Sequence, residues 1–173
     1  MLKSNIKFIF LIISLSGLLF GENLFNAMNL RFFLTPEEVV LHFSTQNKMV
    51  AEDMIMDPLI LSGDKIVPII IKEIKSKNFP RRLYGISFLG DGSYIESLPT
   101  LKKILTNVTE HSEFRGMALL SIYKINNTLG TKFALQNLKE EGFLGNVSKM
   151  IINKNPYIEE KRSYLEAFFG VHY

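Results

Sequence analysis

The sequence predicts an all-α protein, a short right-handed α-solenoid of antiparallel helix pairs with atypical capping helices. Three observations predict it. Apolar residues recur at helical spacing along most of the chain, a basic–small–aliphatic pattern returns about every 33 residues, and turn-forming residues punctuate the apolar segments. At 173 residues, with 47% hydrophobic and 21% charged residues, the chain has enough apolar material for one domain with a real core.

The first segment reads as an address. Lys3 and Lys7 lie at its start, Phe8 to Leu15 is apolar apart from Ser14, and small residues lead to Gly21 before Glu22. This is the charged start, short apolar stretch and small-residue exit of a secretory signal, so residues 1–21 are expected to be a signal peptide. The apolar run is shorter than the ~20 residues a spanning helix usually needs, and an uncleaved anchor is the alternative. Bulky Leu19 near the proposed cut, at a place where such sites carry a small residue, leaves the cleavage position soft. Residues 22–173 are then the folded domain, exported to the periplasm or secreted. Membrane contact is expected only through the N-terminal segment, if it stays uncleaved.

Within that domain, Thr35-Pro36-Glu37-Glu38 supplies an N-cap, a first-turn proline and a capping-box acid, predicting a helix through about Phe43 that caps one end. The recurring pattern follows. Lys48, Ala51 and Ile55 are matched by Arg82, Gly85 and Leu89, and again by Arg115, Ala118 and Ile122, at nearly equal intervals along the chain. Offsets of three and seven share a helix face, so each set predicts a first helix whose small residue admits a close neighbour. Second helices are expected after Val67-Pro68 and Leu98-Pro99, because proline is tolerated in a first turn. The turns are read at Ser62-Gly63-Asp64, Gly90-Asp91-Gly92-Ser93 and Asn126-Asn127. Thr131 to Glu141 is read as the third second helix, stopped by Gly142. From Phe143 the pattern degenerates, with one helix about Val147, Met150 and Ile151, a break at Asn155-Pro156, and a last helix over 157–169.

The segments Arg81-Arg82-Leu-Tyr-Gly-Ile-Ser-Phe-Leu-Gly, Ser97-Leu-Pro-Thr-Leu-Lys-Lys-Ile-Leu and Arg115-Gly-Met-Ala-Leu-Leu-Ser-Ile together resemble HEAT-like repeats. They look like the short-period kind named after phycobilisome lyases. The resemblance covers roughly residues 48–140 and implies a fold; it carries no functional residue over, since that family spans lyases and scaffolds alike. A tetratricopeptide array has a similar period, but its tryptophan signature is missing and the chain has no tryptophan.

Composition excludes several chemistries. Without cysteine there are no disulfides, thiolate metal sites, cysteine nucleophile or lipobox anchor. The net charge of +3, less the two leader lysines, falls to +1, which gives no electrostatic case for nucleic acid. His42, His111 and His172 form no His-x-x-x-His pair, and the neighbouring carboxylates at 37–38, 52–53, 140–141 and 159–160 diverge on a helix. No cofactor, metal or catalytic residue is expected. Asn107, Asn126 and Asn146 open formal glycosylation sequons that composition alone explains. The aromatics Tyr157, Tyr164, Phe168, Phe169 and Tyr173 read as terminal packing or a docking tail.

Two basic sets remain. Lys48, Arg82 and Arg115 oppose the helix dipole near helix starts, so a structural ladder of hydrogen bonds to the preceding repeat's loop is expected. Lys72, Lys75, Lys102 and Lys103 fall on second helices, which line the concave side in HEAT arrays, and are the candidate partner-binding residues. The functional expectation is an exported, noncatalytic scaffold or adaptor with a protein or peptide partner. The alternative is a small ligand-handling or lyase-like accessory enzyme with an unrecognised pocket.

Overall fold

The computed structural model describes residues 34–45 and 55–159, and all regular structure among them is helical, with no strand. The expected leader over residues 1–21, Lys48, Ala51, the Glu52–Asp53 pair, His172 and the aromatics beyond Tyr157 lie outside the described residues.

Helix α1 spans Pro36–Thr45. Its capping box is reciprocal: the Thr35 N–H donates to Glu38 Oε2 at 2.7 Å, and the Glu38 N–H donates to Thr35 Oγ1 at 3.2 Å. Those hydrogen bonds to Thr35, the backbone one foremost, hold the Glu38 carboxyl below its usual range. Val39, Val40 and Phe43 make the buried side of α1, which packs on the next two helices. These are α2, Asp57–Ser62, and α3, Val67–Glu73, joined by a 3-10 turn at Gly63–Ile66.

Helices α4, Arg82–Asp91, α5, Leu98–Thr106, α6, Ser112–Ile125, α7, Asn127–Gln136, and α8, Gly142–Ile152, complete the body, with a short α9 at Pro156–Glu159. The helices that start at Arg82, Ser112 and Gly142 are evenly spaced along the chain, and those that start at Val67, Leu98 and Asn127 interleave with them. The first set are called first helices below and the second set second helices. Helix α6 is the hub: it packs against α4 on one side and α8 on the other, while α5 and α7 also lie against it and α7 touches α8.

The core runs through all of these elements, from Phe43, Leu59 and Ile70 through Ile86, Phe88 and Leu89 to Leu101, Leu119, Ile122 and Ile151. Each such side chain contributes about 1.5–3 kcal/mol by leaving water, offset by the entropy of ordering the chain. The last first helix buries only part of its circumference. Leu144, Val147 and Ile151 face inward, whereas Asn146, Lys149 and Asn153 are exposed.

Close approach of α4 and α6 depends on one glycine. A Cβ on Gly90 would stand 2.5 Å from the Ser121 Cα, so no larger residue fits without moving a backbone. At the same crossing the Ser121 hydroxyl donates to the Ile86 carbonyl at 2.9 Å, satisfying a hydroxyl that is otherwise sealed from water.

Several boundaries differ from the sequence expectation. Gly90 and Asp91 still belong to α4; the turn begins at Gly92, with Ser93 at φ +56 and bonds from the Ser93 and Tyr94 N–H groups back to the Gly90 and Leu89 carbonyls. This is a Schellman ending with serine in the left-handed position. The third second helix runs over Asn127–Gln136, not Thr131–Glu141. Asn126 explains the shift: its N–H closes α6 on the Ile122 carbonyl, and its side chain accepts from the Leu129 N–H at 2.9 Å, so one residue ends α6 and starts α7. Gly142 does not stop a helix but opens α8 at φ +68. There the Ser112 hydroxyl of α6 accepts from the Leu144 N–H at 3.0 Å and satisfies one of α8's orphan donors.

Candidate interaction surface

The cations of α4 and α6 and those of the second helices are used differently. In the first helices, Arg82 is almost wholly buried: its Nε donates to the Ile74 carbonyl at the end of α3 at 2.6 Å, and its Nη1 donates to Glu110 Oε2 at 2.9 Å. The guanidinium also lies 4.8 Å from the Phe114 ring centroid. Arg115 repeats the arrangement one level on, its Nε donating to the Leu105 carbonyl in the last turn of α5 at 3.0 Å and its Nη2 to Glu140 Oε1 at 3.3 Å. Each cation therefore meets the negative end of the preceding second helix, and each carboxylate stands just before the following first helix, at its positive end. The acceptors are thus a helix-terminal carbonyl behind and a loop carboxylate ahead, where the sequence suggested only the preceding loop.

The two levels differ in burial. Side-chain exposure is 3% and 6% for Arg82 and Glu110, but 11% and 44% for Arg115 and Glu140. At the opposite ends of the same helices Lys124 of α6 ion-pairs with Asp91 of α4. Arg82, Asp91, Arg115 and Lys124 are thus all neutralised within the structure, and no buried side-chain polar atom among the described residues lacks a hydrogen-bond partner.

The second helices present the opposite picture. Lys72 and Lys103 are exposed on α3 and α5 and Lys102 is half-buried on α5; Lys75, expected on the same helix as Lys72, is exposed in the turn that follows α3, because that helix ends at Glu73, and none of the four ion-pairs with a described residue. Buried positions recur at the fourth and eighth places counted from each helix start: Ile70 and Ile74 for α3, Leu101 and Leu105 for α5, Gly130 and Ala134 for α7. The sixth place lies on the opposite side of a helix, and there stand Lys72, Lys103 and, unanticipated from sequence, Lys132, all exposed. Starting α7 at Thr131 puts Lys132 in its first turn and hides the match; the capping geometry of Asn126 is the signal that restores it. The only carboxylate within α3, α5 and α7 is half-buried Glu73.

The histidines stand apart from one another. His42 is exposed in the last turn of α1, and exposed His111 caps α6, its Nδ1 accepting weakly from the Glu113 N–H at 3.5 Å. Among the described residues no three His, Asp or Glu side chains come together as metal ligands, and no helix is long and apolar enough to cross a membrane. Tyr94, its ring centroid 5.4 Å from that of Phe88, has its hydroxyl pushed up to about 12, first by burial and then by the neighbouring Asp64 carboxylate. That phenol ties the turn after α4 to the turn after α2 and is a structural group.

No family model matches the chain, and no curated protein or solved structure matches it either.

Proposed function

We propose that the chain is an exported, noncatalytic protein-interaction scaffold whose helix pairs stack as a HEAT-like solenoid and whose second helices meet the partner. The observation that carries the reading is how charge is used: Arg82, Arg115 and Lys124 of α4 and α6 are paired internally, whereas Lys72, Lys103 and Lys132 of the second helices are exposed and ion-pair with no described residue. A residue that stabilises the fold gains by pairing, and lysines kept clear of carboxylates contribute nothing comparable to stability. The even recurrence of helix starts, with α4, α6 and α8 packed in sequence, supports the solenoid.

In such an array the layer in closer mutual contact lies on the inside of the curve. The mutual contacts of α4, α6 and α8 support an outer position for the lysines on this reading, instead of the concave side expected for HEAT second helices. Recognition on this reading is by an open face instead of a groove, with affinity concentrated in a few residues.

The test is affinity capture from envelope and secreted fractions with the chain and with a variant carrying Lys72→Ala, Lys75→Ala, Lys102→Ala and Lys103→Ala. One protein recovered by the parent and lost by an equally folded variant supports the reading. Recovery of no protein, or of the same proteins by both, removes this surface from the account.

A further inference from the structure

Composition accounts for the occurrence of the three Asn-x-Ser/Thr sequons but not for where they fall in the fold, and the fold treats them unequally. Asn146 lies within α8, where Val147 is 2% exposed and the sealed Ser148 hydroxyl donates to the Leu144 carbonyl at 2.8 Å. Asn126 is committed twice, its N–H closing α6 and its side chain capping α7, and Asn127 and Thr128 already belong to α7. Asn107-Val108-Thr109 alone lies wholly outside the helices, in the turn between α5 and α6. Val108 is 81% exposed and Thr109 is exposed too, so the core holds neither. Asn107 is half-buried; its carboxamide oxygen accepts from the Thr109 hydroxyl at 2.9 Å and from the Thr109 N–H at 3.1 Å, and its amide nitrogen takes part in neither bond.

We infer that Asn107 is a site of N-linked glycan attachment on the folded chain, the donor being an oligosaccharide carried on a polyprenyl pyrophosphate. In the transfer Asn107 Nδ2 bonds to the anomeric carbon of the first sugar and the bond from that carbon to the pyrophosphate oxygen breaks. The polyprenyl pyrophosphate leaves with the electron pair, and one Nδ2 proton passes to a carboxylate of the transferase. A transferase must draw the acceptor segment out of its local structure, and this is easiest where no helix unwinds and no core residue is exposed. At Asn146 it would dismantle α8 and uncover Val147 and Ser148, and at Asn126 it would release the cap that starts α7. At Asn107 it disturbs the turn bond from the Glu110 N–H to the Asn107 carbonyl and the long Lys77 Nζ contact with the Thr109 carbonyl at 3.5 Å. The inference rests on the reading of the chain as exported, because such acceptors belong to secreted proteins.

The experiment incubates the folded full chain with a single-subunit oligosaccharyltransferase and a polyprenyl-pyrophosphate-linked oligosaccharide, and reads intact mass and peptide maps over time. Short synthetic peptides carrying each sequon are run beside it and are expected to be modified alike. On the folded chain Asn107 is expected to gain one glycan about tenfold faster than Asn126, with Asn146 left bare. Asn107→Gln and Thr109→Ala should abolish that glycan, Thr109→Ser should keep it, and Asn126→Gln and Asn146→Gln should leave it unchanged, with circular dichroism melting showing that all the variants are folded. A folded chain that stays unmodified while the peptides react, or that is modified as fast at Asn126 or Asn146, overturns the inference. The second arm is the mass of the Asn107 peptide from native chain isolated from the source cells. A bare Asn107 on chain recovered outside the cytoplasm overturns the inference and leaves the exported reading standing, whereas chain found only in the cytoplasm overturns both.

Discussion

The first helices α4 and α6 and the second helices α3, α5 and α7 are built from similar residues yet use their charges in opposite ways. Arg82 and Arg115 are drawn into the structure, where helix-terminal carbonyls and loop carboxylates surround them; Lys72, Lys103 and Lys132 stand on the far side of their helices and ion-pair with no described residue. Arginine suits the first task because its planar fork serves a carbonyl and a carboxylate at once and tolerates burial, while lysine's compact, well-hydrated ammonium suits the second. The contrast teaches that neighbouring helices of one near-neutral chain can use cations in opposite ways, some matched internally and others left exposed.

The sharpest way to break the first-helix arrangement is to remove Glu110. Its pair with Arg82 is sealed from water, so Glu110→Ala leaves a buried guanidinium uncompensated and is expected to cost about 3–5 kcal/mol in urea unfolding. A loss under about 1 kcal/mol would mean that the Ile74 carbonyl and the Phe114 ring suffice for Arg82. Next comes the α4–α6 crossing. Gly90→Ala forces a methyl against the Ser121 backbone and is expected to cost about 1–3 kcal/mol, even though alanine is the better helix former; a neutral or stabilising result would show that the crossing yields easily.

Glu140→Ala repeats the first substitution one level on, where the carboxylate is 44% exposed, and should cost no more than about 1 kcal/mol. The difference between the two glutamates is therefore a direct measure of what burial adds to the same motif. The smallest effect concerns Tyr94. Its folded pKa is raised to about 12, so the stability it contributes is complete below the unfolded value near 10 and is lost as pH rises through the folded one. Tyr94→Phe should flatten the fall of the melting temperature across that alkaline window, and an ultraviolet titration should lose a tyrosine that ionises near pH 12.

Much of the helical content was legible in advance, for reasons local to each segment. The Thr35 capping box and the prolines at the second position of α3 and α5 announce helix starts through groups within one turn of them. The recurring basic motif was a less faithful guide. Arg82 is the first residue of α4 but Arg115 the fourth of α6, so the motif and the helices that carry it do not keep the same register. The slip is nearly a full helical turn, which returns side chains to almost the same face, and periodicity cannot detect it. The long arginine side chain absorbs the shift and finds equivalent acceptors from both positions.

The same ambiguity hid part of the surface. Lys132 joins Lys72 and Lys103 only once α7 is seen to start at Asn127, and that start is made by a side-chain bond from Asn126 that a run of turn-forming residues does not specify. Glu110 and Glu140 looked like ordinary loop acids, because their arginine partners are far away along the chain, well beyond the reach of any local pattern.

By itself the sequence determined that the described chain is helical, where α1, α3 and α5 begin and which helix faces are apolar, since caps, prolines and hydrophobic spacing act within a few residues. Only the tertiary structure decided which charges are paired inside and which are left outside. Pairing between distant segments depends on how helices are laid against one another, and that is settled by burial of the core and by close contacts such as Gly90 on Ser121.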